Sequence, residues 1–214
     1  MFRREPANRL SRQITSFPAL RSPLHKWNPK NPAPHDENVE VYSNCEQVEL
    51  RLNGRSLGVQ PRAADLAPRT WTVPYAPGTL EAVGRNQGAI AARFQLRTAG
   101  PPARLELTAH HAQLAPGWDR VDFVTARVVD ANGVVVPGAD NRLTFAVTGP
   151  GALAAVDSAD NASHESFQGT ARRAYQGRCV AIVRATAAAG EITVSATSPG
   201  LAPGSVTIDA VAAP

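Results

Sequence analysis

Chemistry that uses two carboxylates about 5 Å apart, one as acid and one as nucleophile, needs acidic side chains paired on rigid elements. The acidic residues of this 214-residue chain offer no such pair. Glu46 and Glu49 sit at a hairpin, and Asp119, Asp122, Asp157 and Asp160 flank loops, where carboxylates ordinarily form turns or solvate strand faces. His110 and His111 are adjacent on or just after a strand, so alternation would send their rings to opposite faces and keep them from chelating one ion. His25, His35 and His164 have no ligand spacing. Gly149-Pro150-Gly151 reads as a turn, since no strand runs through it into a helix as a phosphate loop requires. No Ser-His-Asp or Cys-His arrangement stands out. The expectation is a chain with no catalytic residue, no metal and no cofactor.

Aromatic side chains are the remaining candidates. An exposed indole has an apolar face and a polar edge and can stack on a sugar ring. Trp71 lies between Thr70 and Thr72 within a strand pattern and reads as core. Trp118, in Pro116-Gly117-Trp118-Asp119, is a loop residue open to either interface packing or ligand contact. Trp27 stands in an irregular stretch with no sheet of its own and reads as covering a neighbouring surface.

The elements that must position these residues are strands. In the first 38 residues Pro6, Pro18, Pro23, Pro29, Pro32 and Pro34 break any long helix, leaving at most a short one around Pro6 to Ile14. From Val39 short apolar runs alternate with turn residues: Val48, Leu50 and Leu52 share one face and Glu49, Arg51 and Asn53 the other. Asn53-Gly54 supplies the two left-handed positions of a tight hairpin turn, a structural role. Strands are expected at 55–60, 69–75, 78–85 and 89–98. The run Ala99-Gly100-Pro101-Pro102 cannot donate to a ladder at its prolines and marks a boundary. Beyond it, strands are expected at 104–109, 122–130, 133–136, 143–148, 178–186, 191–198 and 205–211, with Asp130-Ala131-Asn132-Gly133 as a hairpin turn. The reading is an all-β chain of two immunoglobulin-like β-sandwich domains in tandem: an irregular segment 1–38, a first domain 39–99 and a second 103–212.

Charge and composition remove other classes. The formal charge of +4 comes from arginines spread singly along the chain, with lysine only at Lys26 and Lys30, so the clustered footprint of a nucleic-acid site is missing. No run approaches the roughly 18 uncharged apolar residues of a membrane-spanning helix, so a soluble chain without a membrane partner is expected. Met1-Phe2-Arg3-Arg4-Glu5-Pro6 has no apolar segment behind its charges and does not read as a signal peptide. Cys45 and Cys179 fall in different predicted domains and read as small buried apolar groups.

The run Val39-Glu40-Val41-Tyr42-Ser43-Asn44-Cys45-Glu46-Gln47-Val48-Glu49-Leu50, continuing Arg51-Leu52-Asn53-Gly54-Arg55-Ser56-Leu57-Gly58, resembles the domain that follows the catalytic barrel in bacterial family 2 glycoside hydrolases of the β-galactosidase type. Leu24-His25-Lys26-Trp27-Asn28 is similar to a His-Trp-Asn element that precedes it, with Lys26 interrupting the order. Ala139-Asp140-Asn141, Phe145, Gly149-Pro150-Gly151, Phe167, Gly177 and Ser198-Pro199-Gly200-Leu201 are similar to the immunoglobulin-like C-terminal domain of the same enzymes. Asp157-Ser158-Ala159-Asp160 stands where that family more often has an Asn-Gly turn. The family's catalytic glutamates lie in the barrel and have no counterpart here. The resemblance implies a non-catalytic accessory region that packs on a (β/α)8 barrel in carbohydrate degradation, with carbohydrate as a further partner through Trp27, Trp71 or Trp118. The rivals are a free-standing carbohydrate-binding module and a cell-surface immunoglobulin-like spacer. If the barrel is the missing partner, Phe2, Phe17, Leu20, Leu24 and Trp27 should be the apolar groups that meet it.

Overall fold

The computed structural model describes residues 10–17, 27–29 and 33–213, the first of these by backbone alone. Among them there is no helix: sixteen strands form four sheets, divided between two compact units, residues 1–98 and 99–214.

The first unit contains β1 (Leu10–Phe17), β2 (Asp36–Ser43), β3 (Gln47–Leu52), β4 (Arg55–Pro61), β5 (Arg69–Pro74), β6 (Thr79–Asn86) and β7 (Ala89–Arg97). One sheet runs β1-β2-β5 and the other β4-β3-β6-β7, with all neighbours antiparallel. Alternation builds the core between them. Val39, Val41, Trp71 and Val73 from the first sheet join Val48, Leu50, Leu80, Ala82 and Leu96 from the second in one buried cluster. Each such aliphatic side chain contributes about 1.5–3 kcal/mol on burial, so a one-residue slip that turned these faces outward would remove the unit's driving force.

The second unit contains β8 (Arg104–Ala109), β9 (Gln113–Leu114), β10 (Asp122–Val129), β11 (Arg142–Thr148), β12 (Gly151–Asp157), β13 (Ala171–Arg173), β14 (Arg178–Ala185), β15 (Gly190–Thr197) and β16 (Gly204–Ala210). Its sheets are ordered β12-β14-β10-β8 and β13-β11-β15-β16-β9, antiparallel except for the short parallel pair β16 and β9. Val124, Ala126 and Val128 of β10 and Cys179, Ala181 and Val183 of β14 face Leu143 and Phe145 of β11, Ile192 and Val194 of β15 and Ile208 of β16. This two-sheet layering is compatible with an immunoglobulin-like arrangement.

Three local expectations are corrected. The short helix allowed around Pro6 to Ile14 does not form over its described part, which belongs to β1 and pairs with β2 in the register Leu10↔Ser43 and Ile14↔Val41. A ladder partner overrides local propensity there. Residues 133–136 make only the single bridge Val129↔Val135, because Asp130 Oδ1 takes the amides of Asn132 and Val134 at 2.9 and 2.8 Å and bends the chain out of a ladder. Lastly, β9, β12 and β13 were not expected.

Candidate functional site

The three indoles have different environments. Trp27 is 1% exposed and belongs to the first unit's core cluster. Its Nε1 donates to the Ala76 carbonyl at 2.8 Å, its ring leans on Tyr75 at 5.2 Å, and its own carbonyl accepts from Thr98 Oγ1 at 2.9 Å. The reading that Trp27 lacks a sheet and covers a neighbour is thus overturned: Tyr75, Ala76 and Thr98 lie far off in sequence and meet it only after folding. Of the other apolar groups assigned to an external surface, Phe2, Leu20 and Leu24 lie outside the described residues, and Phe17 is described by its backbone on β1. Trp71, on β5, is buried in the same core. Trp118, between β9 and β10, is 97% exposed and free to meet a ligand or partner.

Asn53 and Gly54 take φ values of 52° and 82° between β3 and β4. Asn53 also reaches across to the start of β6. Its Nδ2 donates to the Pro77 carbonyl at 3.0 Å, its Oδ1 accepts from the Thr79 amide at 2.8 Å, and its own amide donates to the Thr79 carbonyl at 2.8 Å. Gly78, at φ 132°, passes so close that a Cβ there would collide with the Asn53 side-chain amide. Turn statistics favour Asn at such a position but do not reveal that second set of bonds.

The acidic residues have structural partners. Glu49 sits 2.8 Å from Arg51 and 3.8 Å from Arg85, and the Arg51 hydrogen bond, with one from Ser56, holds its carboxyl below the usual range. Glu46 accepts from the Gln87 amide at 2.7 Å. Asp157 accepts from the amides of Ser158 and Ala159, and Asp160 from that of Ala162, as turn-forming carboxylates do. Asp119 is exposed on the Trp118 loop. Glu46, Glu49, Asp157 and Asp160 are thus each engaged by a backbone amide or an arginine.

The histidines are a different matter. His164 is exposed, and His35 lies 2.8 Å from the buried Glu37 carboxylate with its ring stacked on Tyr75. His25 is outside the described residues. His110 and His111, expected on opposite faces, have ring centroids 4.4 Å apart. The reason is that β8 ends at Ala109, so alternation no longer governs them. His111 Nδ1 lies 2.8 Å from Oδ1 of the fully buried Asp122, whose carboxylate also accepts the His111 amide. Next to this cluster a shallow hollow of about 370 Å³ lies on the outward side of β8, β10 and β14, lined by Thr108, His110, Phe123, Thr125, Arg127 and Arg178, among others. Half-exposed Phe123 beside Arg127 and Arg178 gives this face both an apolar and a basic part.

The two units correspond to separate families of domain. Residues 105–207 match the glycoside hydrolase family 2 C-terminal domain 5, and residues 36–92 match a domain of unknown function (DUF4982). The chain is 35% identical over 160 residues to β-galactosidase BoGH2A of Bacteroides ovatus, covering 75% of this chain and 19% of that protein. Among solved structures, a β-glycosidase from Bacteroides vulgatus superposes with a TM-score of 0.82 at 30% identity, over 87% of this chain and 24% of the other. A glycosyl hydrolase family 2 member from Bacteroides cellulosilyticus superposes with a TM-score of 0.78 at 34% identity, over 86% and 25%. The chain therefore spans about a fifth to a quarter of the length of the proteins it matches.

Proposed function

This chain carries the C-terminal accessory β domains of bacterial family 2 glycoside hydrolases, and from that premise we propose that it is the non-catalytic part of a β-galactosidase-like enzyme, packing on the (β/α)8 barrel and stabilising it. The observation that carries this reading is the partial coverage: relatives with glycosidase names are matched over two all-β domains that make up a small part of their length. Acidic residues committed to turns and ion pairs support the non-catalytic role, because an acid and a nucleophile need free carboxylates facing one another. In this reading the contact of residues 1–38 with the barrel rests on groups other than Trp27, which the first sandwich uses for its own core. The boundary between the two domains, at about residues 99–102, belongs to the same proposal, and the first domain takes in Trp27 and β1 ahead of the expected start at residue 39.

The experiment has two arms. The purified chain should show no turnover of nitrophenyl β-galactoside above buffer, and its addition to the matching barrel should raise the barrel's melting temperature with co-elution of the two. Turnover abolished by one carboxylate substitution, or a barrel indifferent to the chain, would reject the proposal.

One observation favours a second reading, a carbohydrate-binding role. Trp118 presents its whole indole to solvent on a loop, as a stacking platform does. Titration with galacto-oligosaccharides should then quench fluorescence in the wild type and not in Trp118→Ala; equal responses would discard it.

A further inference from the structure

We propose that His110, His111 and Asp122 form a binding site for a borderline transition-metal dication, of the Zn²⁺ or Ni²⁺ kind, at the neck of the Trp118 loop. The backbone assembles the three. His110 N donates to the Phe123 carbonyl at 3.0 Å, and His111 N donates to the two Asp122 carboxylate oxygens at 3.1 and 3.3 Å, so the residues leaving β8 are drawn against the start of β10. Side-chain geometry follows from this. With the ring centroids 4.4 Å apart and His111 Nδ1 2.8 Å from Asp122 Oδ1, one donor atom from each of the three residues lies within 4.8 Å of the others.

Tetrahedral coordination at about 2.0–2.2 Å asks for donors roughly 3.4 Å from one another. His111 Nδ1 and Asp122 Oδ1 are already 2.8 Å apart and the three donors lie within 4.8 Å of one another, so modest rotation of the two exposed imidazoles brings all three to it. Asp122 is fully buried, so its anionic end is fixed, while the imidazoles face solvent and give an entry path. Two imidazoles and one carboxylate match zinc or nickel and not the all-oxygen shells of calcium and magnesium. Three protein ligands leave a coordination position open. A bound ion would clasp residues 110 and 111 to residue 122 and so close the loop that displays Trp118.

The competing explanation is a plain His111 to Asp122 hydrogen bond with His110 a bystander. Calorimetric titration of the full chain, stripped with chelator and dialysed, with ZnCl₂ separates the two. One saturable equivalent is expected, weakened about tenfold or more in His110→Ala and in Asp122→Asn, and unchanged in His164→Ala. His110 is exposed and not needed for the core, so His110→Ala keeps the test valid even if the Asp122 variant misfolds. Bound Co²⁺ should give visible bands in the wild type that His110→Ala loses. Absence of one-equivalent binding, or His110→Ala binding as tightly as the wild type, overturns the proposal.

Discussion

Among the described residues each sandwich buries one arginine, and the two solve the cost of that burial in different ways. In the first unit Arg69, at the start of β5, donates to four backbone carbonyls: Gln60 at 3.2 Å, Pro61 at 3.1 Å, Ser43 at 3.0 Å and Cys45 at 2.7 Å. Burial pulls its pKa below the ordinary value. In the second unit Arg172, on β13, lies 3.3 Å from the Asp157 carboxylate and 3.9 Å from that of Glu165. It also donates to the Glu165 carbonyl at 2.7 Å and stacks over Phe167 at 4.9 Å. Arg69 is thus a clasp for backbone, holding the ends of β2 and β4 through neutral dipoles. Arg172 is chiefly a counter-charge for a loop, tying residues 157–167 down through two carboxylates, one backbone carbonyl and one aromatic ring. A guanidinium suits both tasks because its five donors are fixed in a plane.

The comparison can be broken by removing each guanidinium. Arg69→Met should cost about 3 kcal/mol, since the buried Cys45 carbonyl is left without a donor and three part-buried carbonyls lose theirs together. Hydrogen exchange over residues 43–61 should rise first. Arg172→Met should cost less, about 2 kcal/mol, because Asp157 and Glu165 are 41% and 28% exposed and recover water. Added salt should narrow the gap between wild type and Arg172→Met in urea unfolding while leaving the Arg69→Met gap unchanged. Equal losses and equal salt responses would mean that the two arginines are one device.

The hairpin turns sharpen the same contrast. Asp130 ties the boundary segment to its turn, accepting from the amides of Gly100 at 2.8 Å, Val134 at 2.8 Å and Asn132 at 2.9 Å. The Gly100 bond is the main cause that holds its carboxyl below the usual range. A carboxylate with a folded pKa below its unfolded one stabilises above the unfolded value, about 3.9, and loses that contribution as pH falls through the folded value. Asp130→Ala should therefore cost the second unit about 1–2 kcal/mol at neutral pH and progressively less below about pH 4. An acid unfolding limb identical to that of the wild type would refute the assignment. Gly54→Val should cost the first unit about 1 kcal/mol, because a β-branched residue resists φ 82°. An unchanged melting midpoint would show that the turn relaxes.

Most of the framework was legible in the sequence because alternation is a local property. Val48, Leu50 and Leu52 announce β3 without reference to anything distant, and Arg104–Ala109 was read to the residue. What escaped depends on partners far away or on small side chains. Gly-Ala-Leu-Ala-Ala-Val-Asp of β12 carries little β propensity and is a strand because β14 pairs with it. Trp27 needed a core that is completed only at Leu96, 69 residues later. The meeting of His110 with His111 hinged on where β8 stops, which is the least predictable feature of a strand.

The burial of Trp27 also separates the unit recognised by similarity from the unit that folds. The match to the first domain begins at residue 36, yet the indole that fills its interior is nine positions upstream and is held by Ala76 and Thr98, 49 and 71 residues further along the chain. A domain excised or swapped among relatives at the similarity border would leave a hole the size of a tryptophan, about 3–5 kcal/mol of lost packing, enough to unfold a small sandwich. Chimeras should therefore be joined before residue 27 and after residue 98, so that the plug travels with its socket.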